Sequence, residues 1–213
     1  MPRHFPTELV TDQTVASIAA LLAKRDSDLQ RVLATYGPPP LWRRPAAFST
    51  LVKIILEQQV SLTSAAAIFH RLANTIQPFH PEAVMDAGEA YLRRLGLTRQ
   101  KASYLVHLSS AISQGELNLR RLRTMADADV KLQLMRVKGI GSWSADIYLL
   151  MALLRMDIWP NGDLALAVAV KKLQRLPLKP TPETMSQIAE PWRPYRAVAA
   201  RMLWQYYLGE RAN

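Results

Sequence analysis

The sequence predicts an all-α fold of about ten helices, and three observations carry that prediction. Apolar residues recur at i, i+3, i+4, i+7 spacing from one end of the chain to the other. No stretch alternates apolar and polar residues between hairpin-turn residues, as a half-buried strand would. The Pro- and Gly-containing breaks are short, in keeping with turns between packed helices.

Taken in order, Val15, Ile18, Ala19 and Leu22 mark a first helix, and Leu29, Val32, Leu33 and Tyr36 a second. After the break "YGPPPLWRRP" (36–45), Phe48, Leu51, Val52 and Ile55 mark a third, and Ile68, Leu72 and Ile76 continue the pattern. Further breaks fall at "IQPFHP" (76–81), "LGLT" (95–98), "SQGELN" (113–118) and "LPLKPTP" (176–182). Helices are expected from Ser142 to about Leu154 and from Leu164 to Leu173. In "TPETMSQIAE", Thr181 is the expected N-cap, with Pro182 at the first helical position. No break is long enough to be a flexible linker, so residues 1–213 read as a single helical unit, built as two lobes sharing a cleft.

Composition bounds the function. Of 213 residues, 49% are hydrophobic and 21% charged, an ordinary globular balance. The opening "MPRHFPTELVTDQ" has no apolar core of a secretory signal, and the longest apolar run, Ile147 to Leu154, is too short to cross a bilayer. A cytoplasmic, nucleoid-associated location is expected if the source is bacterial. The absence of cysteine excludes disulfides, Cys-ligated zinc and Cys-ligated iron–sulfur clusters. His4, His70, His80 and His107 show no close i, i+4 pairing and read as surface or core residues.

The charge balance is 27 − 17 = +10, with pI near 10.1. The excess is spread over Arg93-Arg94-Arg99-Lys101, Arg120-Arg121-Arg123, Arg136-Lys138, Lys171-Lys172-Arg175 and similar groups. Such a balance favours a polyanionic partner, most simply nucleic acid, although a solvated basic surface would look the same.

"VKGIGSW", within residues 137–143, is the chemically informative turn. Gly139 and Gly141 can both adopt positive φ, while Ile140 between them can point into the core. The turn feeds a helix starting near Ser142, whose free N–H groups and positive dipole end suit a phosphate, with Lys138 adding charge. A plain glycine-capped helix–helix turn is the alternative. Asp163 stands 22 residues after Gly141, behind Pro-Asn-Gly. At the start of the next helix it is a natural N-cap, and a carboxylate there can serve chemistry as well.

Hydrophobic-x-Gly-hydrophobic-Gly followed by "WSADIYLL" resembles the hairpin of the helix-hairpin-helix DNA glycosylase superfamily. "FSTLVKIILEQQVSLTSAAAIFHRL" (48–72), "LGLTRQKASYLVHLSSAI" (95–112), "WPNGDLALAVAVKKL" (159–173) and "AEPWRPYRAVAARMLWQYY" (189–207) extend the likeness, towards the 3-methyladenine DNA glycosylase II branch. The resemblance implies that Asp163 is the catalytic carboxylate, with Asp146 and Asp157 as weaker rivals. It implies that Lys138, Gly139, Ile140, Gly141, Ser142 and Trp143 meet the DNA backbone. Gln59, with Gln58 second, is the implied side chain filling the gap left by a flipped base; a polar pair at a helix end is the ordinary alternative.

For the base pocket the resemblance implies Trp204 and Trp143, with Tyr148 and Trp159 nearby; each could also be ordinary core. Ile147 departs from the branch, where a tyrosine can occur. Bifunctional members carry a lysine at the position of Trp143, so the resemblance implies base release without strand cleavage. It implies no organic cofactor and a monovalent cation held by the backbone carbonyls of Met135 and Val137. The implied partner is double-stranded DNA with alkylated bases, bound by a monomer. An additional N-terminal mixed α/β domain of that branch is expected to be missing. Uracil or a deaminated purine as substrate, and a noncatalytic hairpin module, remain the alternatives.

Overall fold

Six helix starts in the computed structural model, which describes residues 9–212, are set by a side chain that takes an otherwise unpaired N–H. Asp26 caps α2 (Ser27–Tyr36), Ser61 caps α4 (Leu62–Thr75), and His80 caps α5 (Pro81–Arg94) through Nδ1. Thr98 caps α6 (Arg99–Ser113), Asp163 caps α9 (Leu164–Leu173), and Thr181 caps α10 (Pro182–Ala189), with Pro182 at its first position. The remaining helices are α1 (Val15–Ala23), α3 (Phe48–Glu57), α7 (Asp127–Met135), α8 (Ser142–Met151) and α11 (Arg196–Ala212).

The described residues are thus all-helical, with eleven α-helices, one more than expected, and short 3-10 turns at Arg121–Thr124 and Glu190–Trp192. The extended pairing among them is an isolated bridge between Leu9 and Arg155. α5 is kinked at Gly88 (φ +70°), so its range holds two helical pieces. α8 ends at Met151, about a turn before the expected Leu154, which itself takes a left-handed conformation (φ +56°) that helix cannot continue through. His4 lies outside the described residues; His70, His80 and His107 are all exposed.

The chain divides into two compact units, one formed by the residues up to 43 and from 149 onward, the other by residues 44–148. In the first, α11 packs on α9, α2 and α1, burying Leu22, Leu29, Val32, Val170 and Leu203. In the second, α5 packs on α6, and α3 on α4 and α6, around Leu51, Ile55, Leu72, Leu92, Leu105 and Leu108. Each fully buried leucine contributes about 1.5–3 kcal/mol. The apolar positions that mark α1 and α3 all face these cores. Among the described residues, no helix is long and apolar enough to cross a membrane.

Candidate functional site

The turn between α7 and α8 is held by backbone bonds, Val137 N–H to Leu134 O at 3.1 Å and Ile140 N–H to Val137 O at 3.0 Å. Val137 and Ile140 are buried, so the turn is anchored by the apolar residues flanking Gly139, while Lys138, Gly141 and Ser142 are exposed. The two glycines serve different ends. Gly139 has φ +96°, and a Cβ there would lie 2.2 Å from the Tyr104 ring. Gly141, expected to share the left-handed geometry, does not: its φ is not positive, and a Cβ would meet open space. Its carbonyl instead starts α8 by accepting Ala145 N–H at 3.0 Å. A glycine at that place supplies no capping oxygen, which leaves the first-turn N–H groups without a cap from that side chain.

In the same unit, the turn after α3 separates two neighbouring glutamines. Gln58 Nε2 donates to Gly139 O at 2.8 Å and to Ser144 Oγ at 2.9 Å. It braces the hairpin from within, which departs from its expected place as a gap-filling candidate. Gln59 is exposed, in a left-handed conformation with φ +57°, between α3 and the exposed Val60 and Leu62.

Lys101 supports this turn from the other side. Its Nζ donates to Leu56 O at 2.6 Å and Gln58 O at 2.9 Å, satisfying carbonyls that the end of α3 leaves open. Burial pushes its amine pKa down. In sequence Lys101 is one more member of a basic cluster, and nothing there marks it as the brace of a turn.

Asp163 belongs to the other unit. Its Oδ1 accepts Leu166 N–H at 3.0 Å as the cap of α9, and the Trp204 indole N–H at 3.2 Å. The sequence "WPNGD" makes this local geometry: Asp163 N–H bonds Pro160 O at 3.2 Å, and Gly162 takes φ +82° to close the turn. Asp163 is partly exposed.

The rival acids are engaged with cations. Asp157 is clamped by Arg196 Nε at 2.7 Å and Arg193 Nη1 at 2.7 Å. The buried Asp146 pairs with Lys131 Nζ at 2.8 Å.

The aromatic residues are distributed unevenly. Trp204, 8% exposed, packs edge-to-face on Trp42, with ring centroids 6.4 Å apart. Trp159 is buried against Trp192 and borders a cavity of about 190 Å³ beside Asp163 and Leu164. Trp143 is partly exposed. Tyr148 is fully buried with its hydroxyl unpaired, and desolvation pushes its pKa up to about 12. It is therefore a core residue by position, not a ring open to a ligand. Trp42, in the Pro-rich break, is the aromatic that sequence reasoning missed.

Among the described residues, no group of three or more His, Cys, Asp or Glu side chains could hold a metal ion.

Against known proteins, residues 52–194 match the family described as the HhH-GPD superfamily base excision DNA repair protein. The putative DNA-3-methyladenine glycosylase of Bacillus subtilis is 27% identical over 84% of this chain; the chain spans just 65% of that relative's length. DNA-3-methyladenine glycosylase 1 of Schizosaccharomyces pombe is 27% identical over 93% of this chain and 89% of its own. The fold matches the solved structure of an S. pombe 3-methyladenine DNA glycosylase in complex with abasic DNA. Its TM-score is 0.82, with 24% identity over 89% of this chain and 95% of the other. A glycine hairpin feeding a helix, an aspartate capping the helix after it, and a family match across both lead to one conclusion: the chain belongs to the HhH-GPD superfamily of base excision DNA repair proteins.

Proposed function

We propose that the chain is a monofunctional DNA glycosylase that hydrolyses the N-glycosidic bond of alkylated purines, 3-methyladenine and 7-methylguanine among them, in double-stranded DNA. The observation that carries this reading is Asp163, held by two N–H donors, one of them from Trp204. The names of the two relatives support the substrate class.

As the glycosidic bond breaks, its electron pair leaves with the base, and positive charge develops on the deoxyribose. A carboxylate fixed before the reaction stabilises that charge without reorganising. Water then adds at C1′, and its proton passes to the carboxylate or to solvent. A cationic alkylpurine leaves as a neutral base, so the step needs no separate acid. An electron-poor base also suits the faces of indoles such as Trp204.

The hairpin's part is to hold backbone phosphate on the N–H groups at the start of α8, with Lys138 beside them. Gln59, exposed at the tip of its turn, would fill the space of the flipped base. A monovalent cation would be held by the carbonyls of Met135 and Val137, at the negative end of the α7 dipole, where carbonyl oxygens suit a hard ion. Trp143 stands where bifunctional members carry their lysine, which supports base release that leaves the strand intact.

The test is single-turnover release of methylated bases from duplex DNA by the parent and by Asp163→Asn. Asparagine also caps helices well, so the exchange removes the charge and spares the fold. Release by the parent should fall about a hundredfold or more in the variant, with DNA binding retained and no strand cleavage before alkali. Equal rates would overturn the role of Asp163, and no release by the parent would overturn the substrate class.

A further inference from the structure

Trp42 combines three features that core packing does not require together. Its backbone is left-handed, at φ +46°, a conformation that costs free energy for a bulky side chain and is sustained where the surroundings over-determine it. Its ring is only partly buried. That ring packs at 72° to Trp204, whose N–H is bonded to Asp163.

The surroundings that impose the conformation come from one face of α11. Arg201, Trp204 and Gln205 stand at i, i+3 and i+4, so their side chains rise on the same side of the helix. Arg201 is completely buried and donates to Leu41 O at 3.1 Å, one residue before Trp42, as well as to Leu150 O at 2.7 Å and Ala197 O at 2.9 Å. Burial pushes its pKa down to about 10. No carboxylate pairs with it among the described residues, so a charge of high desolvation cost is spent on fixing backbone. Gln205 Nε2 donates to Tyr36 O at 2.9 Å at the other end of the same Pro-rich turn. The helix face that presents Trp204 therefore also clamps the turn that presents Trp42.

We propose that Trp42 is a specificity-determining residue of the base site, its partly exposed indole held against Trp204, the donor to Asp163, to favour cationic, electron-poor bases over neutral ones. This rests on the alkylpurine reading of Asp163 and Trp204. An indole packed on the one that holds a carboxylate makes an environment in which a positive aromatic base is attracted by ring faces and by charge together, whereas a neutral base gains only stacking.

The experiment compares the parent with Trp42→Gly, Trp42→Asn and Trp42→Phe, measuring melting temperature and single-turnover release of 7-methylguanine and of hypoxanthine from duplex DNA. Glycine and asparagine both accept the left-handed backbone, so either can fold if the other fails. The expected result is an unchanged or higher melting temperature and about tenfold slower 7-methylguanine release in both. The preference for 7-methylguanine over hypoxanthine should shrink, and Trp42→Phe should restore most of it. A folded Gly or Asn variant with the parent's rate and preference would overturn the role of Trp42 and leave the glycosylase reading intact. A parent that releases no 7-methylguanine would overturn that reading, and this inference with it.

Discussion

The indole nitrogen of Trp204 lies 3.2 Å from Oδ1 of Asp163, so a tryptophan on α11 holds one oxygen of the carboxylate that caps α9. Trp204→Phe keeps an aromatic ring and removes the donor. One hydrogen bond to a charged group contributes about 1.5–3 kcal/mol, which sets an expected loss of roughly tenfold to a hundredfold in single-turnover base release. A variant that melts within a few degrees of the parent and releases bases at the parent's rate would show that the bond does not position the carboxylate.

The two adjacent glutamines should separate cleanly. Gln58→Ala strands Gly139 O and the buried Ser144 Oγ, and is expected to cost about 1–3 kcal/mol in denaturant unfolding while weakening DNA binding. Gln59→Ala removes an exposed side chain, so stability should change by less than about 0.5 kcal/mol. Excision from duplex DNA should nevertheless fall, because the gap behind a flipped base is no longer filled. Equal unfolding midpoints for the two variants would contradict this division.

The hairpin glycines make a matched pair for a stability measurement. Gly139→Ala meets both the positive φ and the Tyr104 ring, and should lower stability by about 2 kcal/mol or more. Gly141→Ala enters open space at an ordinary φ, and should change stability by less than about 1 kcal/mol. Urea midpoints in the reverse order would mean the turn is held otherwise than the geometry shows.

Tyr148 links burial to alkaline pH. Its folded pKa, about 12, is raised above the ordinary value of 10.0. The native state keeps the phenol proton while the unfolded chain loses it, so this group's stabilisation is complete below pH 10 and is lost as pH rises towards 12. Tyr148→Phe should flatten that decline. It should also raise stability at neutral pH by about 1 kcal/mol, because an unpaired buried hydroxyl is removed. Thermal melts of both proteins between pH 7 and 11 provide the check, and parallel curves would count against it.

Local signals were readable from the amino acids, and side-chain direction was not. Asp163 and the helix from Leu164 to Leu173 follow from a capping residue ahead of an apolar pattern, and the structure reproduces those bounds. Thr181-Pro182 marks the start of α10 for the same reason. Gln58 and Gln59 have one chemistry and adjacent places, and only the backbone rotation at the end of α3 turns one inward and the other outward. Gly139 and Gly141 look alike until Tyr104, 35 residues earlier in the chain, closes over one of them. Lys101 and Arg201 read as surface charge because burial of a cation on carbonyl oxygens leaves no pattern in the sequence. Trp42 carries no mark in its Pro-rich break, since backbone conformation at a tryptophan is not a property of composition.

The division of the chain at residues 43 and 149 has a consequence for how the molecule comes into being. Residues 44–148 are contiguous, so their unit can complete its own contacts while the ribosome is still extending the chain. The unit holding Asp163 joins residues far apart in order of synthesis: Gln205 meets Tyr36 across 169 positions, and Trp192 meets Asp26 across 166. Its loops close only when the last helix emerges. The Asp163 carboxylate therefore gains its Trp204 partner among the final events of folding, after the hairpin's own unit has had time to form.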